Sequence, residues 1–333
     1  MISAAALGGY ALVLAVVVPR RLRDAAWPVQ APRLGVAAWQ VVSVSMVGAP
    51  VLAGLSLAVP GSIFSHGLAD LLRSCAMAVR SAYATPGGAA AAGTGIVLAG
   101  AVSSRVAYCA TRALRQAARR RQAHSSALEL VGRRDAALGV TVVEADGAIA
   151  YCLPGSGQIV LSTGALTALG PAELRAVLAH ERAHLGGRHH LVLAGADVLA
   201  QAFPGLALFR IARDEIARLI EMLADDAAVR RQDRLTVAGA LARMACAQAP
   251  AGALGAGGAT ALARVRRLLA PARPLGVVPS AVVGLALAAL LIAPAVLAAL
   301  PAAHLVGRTY CPVPMARLHA VALAASVPAG KVL

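Results

Sequence analysis

Aromatic residues make up only 3% of this 333-residue chain, and charged residues only 14%. The first scarcity excludes a platform of stacked bases or an aromatic-rich β-core. The second, set against about 25% charged residues in an ordinary soluble domain, excludes a purely soluble protein. Lysine is nearly missing: Lys331 is the single one, and every other basic residue is arginine. The five cysteines, Cys75, Cys109, Cys152, Cys246 and Cys311, form no C-x-x-C pair, so neither a zinc knuckle nor a dithiol redox motif is indicated. Carboxylates are scarce and clustered, with 13 of the 15 between Glu129 and Asp233 and only Asp24 and Asp70 elsewhere. What is abundant is Ala, Val and Leu: the chain is 59% hydrophobic with a mean hydropathy of +0.72. That excludes disorder, and the length suggests about two domains.

Four apolar runs approach the roughly 20 residues that cross a bilayer as helix. They are Ala4 to Pro19, Leu34 to Pro60, Ala89 to Ala107 and Val277 to Leu300. Met1, Ile2 and Ser3 give no positive n-region, so the first run reads as a retained span rather than a secretory signal. Arg20, Arg21, Arg23 and Arg33 follow the first span, and Arg105, Arg112, Arg115, Arg119, Arg120 and Arg121 follow the third. The positive-inside rule then makes both loops cytoplasmic, and the net charge of +16 becomes largely a topology signal rather than a nucleic-acid footprint. The near-exclusive use of arginine over lysine and the abundance of alanine suggest a GC-rich bacterial source, so the expected chain is a multi-pass protein of a bacterial plasma membrane, with the acid-bearing middle in the cytoplasm and both termini outside. Only Cys75 and Cys311 would face the oxidising side, either paired or as two buried thiols.

From Leu138 onward the pattern changes to short β-type runs, Val140 to Val143, Ile149 to Cys152 and Gln158 to Leu161, separated by Asp146-Gly147 and Pro154-Gly155-Ser156-Gly157. This predicts a small antiparallel sheet. A helix starts near Pro171 with Glu173 in its first turn, and a second long helical pattern covers Ala207 to Arg231. The stretch Leu191 to Phe209 is apolar enough to resemble a fifth span. Asp197, Gln201 and Pro204-Gly205 point instead to a helical hairpin.

Positions 180 to 184 read His180-Glu181-Arg182-Ala183-His184. Histidines at i and i+4 lie about 40° apart around a helix, so both imidazoles can reach one cation. Glu181 is placed to take a proton from an activated water. A third ligand is needed, and two candidates compete. Glu221 is followed one turn later by Asp225, which could orient a ligand imidazole from behind. His190 fits the longer pattern H-E-x-x-H-x-x-G-x-x-H through Gly187, but no Met-turn follows. A fifth span would place Glu221 across the membrane from His180 and His184, so the hairpin reading and the Glu221 reading support each other. Arg213, Arg218 and His190 are candidate oxyanion partners, and the strand Gln158 to Leu161 is the expected sheet edge for an extended substrate.

The stretches Ala150 to Gly155, Gln158 to Leu166 and Glu173 to Ala179, leading into His180, carry a family resemblance over about residues 125 to 235. There the chain resembles the membrane metallopeptidases of the BlaR/MecR type, relatives of the HtpX and CAAX-protease gluzincins. The resemblance implies one Zn2+ held by His180, His184 and Glu221, with Glu181 as the catalytic base. It also implies a cytoplasmic winged-helix repressor of the BlaI/MecI type as a target. The expected fold is a mainly α membrane protein with about four transmembrane helices and an inserted α+β gluzincin-type zinc peptidase domain. Its expected divisions are 1–124 (three spans and basic loops), 125–275 (peptidase), 276–301 (fourth span) and 302–333 (a short outer tail). Antibiotic-sensing members carry an external penicillin-binding domain with a Ser-x-x-Lys nucleophile. Here Ser326 and Lys331 have the wrong spacing, so covalent β-lactam sensing is not expected. A quality-control protease of the HtpX kind and a non-enzymatic receptor are the alternative readings.

Overall fold

The computed structural model describes residues 2–58, 87–248, 256–271 and 273–309. Cys75, Cys311, residues 59–86 between the second and third apolar runs, and the tail beyond 309 lie outside them. The order is α1 (Ile2–Asp24), α2 (Trp27–Gln30), α3 (Pro32–Ala58), α4 (Gly88–Val131), β1 (Arg133–Asp135), β2 (Val140–Val143), β3 (Ala150–Cys152) and β4 (Ile159–Ser162). There follow α5 (Thr163–Ala168), α6 (Pro171–Gly186), α7 (His189–Ala202), α8 (Ala207–Val229), α9 (Arg234–Gln248), α10 (Ala256–Leu269) and α11 (Val277–Thr309). Four of these, α1, α3, α4 and α11, are long and apolar enough to cross a membrane.

α3 is the hub of the spans, packing against α1, α4 and α11. Lipid tails give little hydrophobic drive for helix association, so close backbone approach and hydrogen bonding must supply it. Both are visible. Gly54 of α3 and Gly95 of α4 meet backbone to backbone, and a Cβ built on either would fall 2.4 Å or 2.3 Å from the other's carbonyl oxygen. Ala58 and Ala99 repeat the small residue one turn on. In α11, Pro294 has no N–H, so the carbonyl of Leu290, four residues earlier, loses its helical donor. The Tyr10 hydroxyl of α1 donates to that oxygen at 2.6 Å and the Ser45 hydroxyl of α3 at 3.3 Å. One orphaned carbonyl thus joins three spans.

α4 is 44 residues long and runs without a break from the apolar segment through the arginine-rich stretch. The expected boundary at residue 124 lies inside this helix. Its polar half is rich in Ala, Arg and Gln, all strong helix formers, so nothing in the sequence stops it before Gly132. Arg105 donates through Nε to the Ala202 carbonyl at 3.1 Å, satisfying an acceptor at the end of α7.

The four-stranded sheet has the order β1-β2-β4-β3. It is mixed, not antiparallel as expected. β1 and β3 pair antiparallel to their neighbours, but β2 and β4 run parallel, Thr141 opposite Val160. The reason is that β3 folds back along the outside of β4, which leaves β4 to enter beside β2. Buried Ser162 locks this crossover: its hydroxyl donates to Gly147 O at 2.6 Å and accepts from the N–H groups of Ile149 and Ala165.

α7 and α8 form the anticipated hairpin, turning at 203–206. α8 does not rest on a separate domain core. Leu208, Phe209, Ala212, Ile216, Leu219 and Ile220 bury themselves against Val36, Trp39 and Val42 at the start of α3. A Gly95→Leu substitution is expected to force α3 and α4 apart and lower the melting temperature of the detergent-solubilised chain, at a cost of about 1–3 kcal/mol. Gly100→Leu on the same helix, where a Cβ meets nothing within 4 Å, should leave it unchanged.

Candidate metal centre

α6 begins with Pro171, and the Gly170 N–H donates to the Glu173 carboxylate at 2.9 Å, so the first turn is closed where the sequence placed it. From there Ala176, Leu178 and Ala179 turn inward, and His180 and His184 emerge together one turn later. Their Nε2 atoms stand 3.1 Å apart. α8 crosses beneath and presents Glu221, whose carboxylate oxygens lie 3.5 Å from His180 Nε2 and 3.5 Å from His184 Nε2. Among the described residues this trio is the group able to hold a metal ion, its donor atoms all within 4.8 Å of one another.

Behind it stands a second layer. Asp225, one turn after Glu221 and 2% exposed, accepts from His180 Nδ1 at 3.1 Å. That contact turns His180 Nε2 toward Glu221 and His184. Asp225 is held in turn by Arg264 of α10, through Nε at 2.8 Å and Nη2 at 2.6 Å, while Nη1 of the same guanidinium reaches Glu221 at 2.8 Å. One turn on, Arg267 forks onto Asp226. Sequence reading missed Arg264. The available signal was a matched pair: adjacent acids at 225 and 226, and arginines three apart at 264 and 267 on an amphipathic helix.

These contacts set the charges. Burial alone would lower His180, but the hydrogen bonds to Asp225 and Glu221 outweigh it and hold the imidazole up at about 9. Burial would raise Glu221 and Asp225, yet His180 and Arg264 keep both near 2. His184 is pushed down to about 4 by burial, with the neighbouring His180 charge adding to it. The metal-free centre therefore stores one proton on His180 at neutral pH.

Glu181, 9% exposed, lies within electrostatic reach of His180 and Glu221. Burial raises its carboxyl above the usual range, Glu221 adds to this, and the His180 charge opposes it. The Cys152 thiol of β3 hydrogen-bonds to it and is itself pushed up to about 12, chiefly by burial. This pairing corrects the expected substrate edge. β4, which holds most of Gln158 to Leu161, is an interior strand bonded on both sides, and the sheet edge beside Glu181 is β3. The other candidates are elsewhere. Arg213 pairs with Asp197 and Asp214, and Arg218 with Glu215. His190 is outside the metal group, and its neighbour His189 is the residue that touches His184.

Arg264→Met strips Asp225 of its main counter-charge while leaving the carboxylate buried, and should destabilise the chain by about 3–5 kcal/mol in thermal or denaturant unfolding. Because an entering metal ion must displace the His180 proton, metal affinity should rise about tenfold per pH unit from pH 7 toward 9 and then level off. His184, neutral throughout that window, adds nothing to the slope. Metal titrations at several pH values, with proton release followed in weak buffer, read this directly.

No curated protein and no solved structure matches the chain. Residues 113–228, however, match the model of Peptidase family M48. The matched stretch contains the His180–His184 pair, Glu221 and Asp225 and stops short of Arg264, so the metal group sits within a segment similar to a metallopeptidase family.

Proposed function

We propose that this chain is an integral-membrane zinc metalloendopeptidase in which His180, His184 and Glu221 hold the ion and Glu181 is the general base. The observation that carries this reading is the spacing of the three donors. Zinc bonds of about 2.0–2.1 Å in tetrahedral geometry place ligand atoms about 3.3 Å apart; the two Nε2 atoms are 3.1 Å apart, one Glu221 oxygen lies 3.5 Å from His180 Nε2 and the other 3.5 Å from His184 Nε2, and one donor atom from each residue fits within 4.8 Å. Two imidazoles and one carboxylate are also a donor set that borderline-soft zinc accepts. When bound, zinc supplies Lewis acidity, polarising a peptide carbonyl and acidifying water.

The chain's own groups do the rest. An extended substrate adds alongside Ala150–Cys152, the edge strand nearer Glu181, through backbone hydrogen bonds. This lays its scissile bond beside Glu181. The carboxylate takes a proton from the attacking water and returns it to the leaving amine, and its raised pKa brings it nearer to working pH. Asp225 and Arg264 hold His180 in register throughout.

The arginine-rich flanks support a peptidase region in the bacterial cytoplasm with both termini outside, and the resemblance to the BlaR/MecR type supports a winged-helix repressor as substrate. A second reading, cleavage of membrane proteins in the manner of HtpX, draws on the direct packing of α8 on α3, which keeps the site close to the bilayer. Glu181→Gln should retain zinc and lose cleavage by about 10²–10⁴-fold. Comparative N-terminal proteomics of cells expressing either form should show new N-termini only with the unmodified chain. New N-termini in a soluble repressor favour the first substrate class, and ones in membrane proteins the second. Equal cleavage by the variant sinks the proposal.

A further inference from the structure

Of the two imidazoles in the metal group, His180 has an evident partner behind it in Asp225. His184 has one as well, which neither the motif nor the family match assigns. Its Nδ1 lies 3.0 Å from Nδ1 of His189, and the two rings meet edge to face at 90° with centroids 5.0 Å apart. We infer that His189 is a positioning residue for His184, accepting a hydrogen bond from its Nδ1–H and so fixing which nitrogen faces the metal. This rests on the zinc reading above.

The direction of the bond follows from the geometry. His184 turns Nε2 toward His180 and Glu221. A neutral imidazole bound through Nε2 carries its proton on Nδ1 and must donate it. The only atom His189 offers there is its own Nδ1, which therefore holds a lone pair, with its proton on Nε2. His189 cannot be a ligand in this arrangement, because it lies against the nitrogen on the far side of His184 from the other donors.

The chain accepts strain to put the ring there. Between α6 and α7, Arg188 adopts φ 49°, the one positive φ at a non-glycine position among the described residues. A left-handed arginine costs about 1–2 kcal/mol. It turns the backbone so that α7 starts at His189 with the ring folded back under α6. Gly187 makes room: a Cβ there would lie 2.4 Å from His189 Nε2 and 2.6 Å from Cδ2. Since the φ of Gly187 is −78°, open to any residue, the need for glycine is the ring itself.

The two ligands are thus backed differently, His180 by a carboxylate and His184 by a neutral imidazole. Zinc affinity of the full chain in detergent, measured by chelator competition, tests the role. His189→Leu should weaken zinc binding by about 10–100-fold. His189→Asn, whose side-chain oxygen can occupy the place of Nδ1, should stay within about threefold of the unmodified chain. Gly187→Ala, which keeps both histidines but whose Cβ would push the His189 ring aside, should weaken zinc as the leucine variant does. Melting temperatures of the metal-free forms should agree, separating positioning from folding. Unaltered zinc affinity in both His189→Leu and Gly187→Ala, or an asparagine variant as weak as the leucine one, overturns the inference. An unmodified chain that binds no zinc overturns the underlying site reading instead.

Discussion

Everything around the metal group turns on one buried carboxylate. Asp225 is almost wholly removed from water and would be prohibitive there alone; His180 on one side and Arg264 on the other make it tolerable. Because these three residues come from α6, α8 and α10, the same contact that neutralises a charge also fixes how three helices sit. Ala176 and Ala179 of α6, Ala228 of α8 and Val237 of α9 pack together as apolar filling between these helices. Arg264 reaches both Asp225 and Glu221, so it sets the two carboxylates in a single rigid fork.

The second dependence is on the spans. Helix α8 offers one face to His180 and His184 and the opposite face to α3, with Leu219 and Ile220 buried immediately before Glu221. A displacement of α3 along its axis is therefore felt at Glu221 itself, with no flexible linker in between to absorb it. Close-packed interiors transmit such shifts rather than damping them. The sheet is attached differently, through the far end of α4, where His124 bonds to Tyr151 at 2.8 Å and Leu128 packs on Leu153 and Val160.

Much of this was legible beforehand, and the limits have physical causes. Hydropathy located the four apolar helices because lipid exposure demands continuous apolar runs. The His180–His184 spacing and the Glu221–Asp225 turn were readable because helical periodicity converts sequence offset into a shared face. The hairpin before Glu221 followed from polar and breaker residues inside an otherwise apolar stretch. Strand order was not legible. Alternation identifies strands but not neighbours, so Gln158 to Leu161 was taken for an edge although Val160 and Leu161 are wholly buried. Arg264 was hidden because its partner lies 39 positions away and nothing local distinguishes it from the solvated arginines around it. Nothing in the local sequence singles out His189, since only the left-handed turn at Arg188 brings it back to His184. The pairing of Cys75 with Cys311 lies outside the described residues, whereas Cys109, Cys152 and Cys246 are free thiols.

The proline in α11 has a consequence for how the protein is made. Its orphaned carbonyl at Leu290 is met by Tyr10, 280 positions earlier in the chain. Spans enter a membrane in order of synthesis, so the Leu290 carbonyl arrives after the Tyr10 and Ser45 hydroxyls that meet it. A carbonyl left unmet in hydrocarbon is unfavourable by several kcal/mol. The proline therefore ties the docking of α11 to two helices made before it, and the contact closes only once the segment carrying His180, His184 and Glu221 has been synthesised between them.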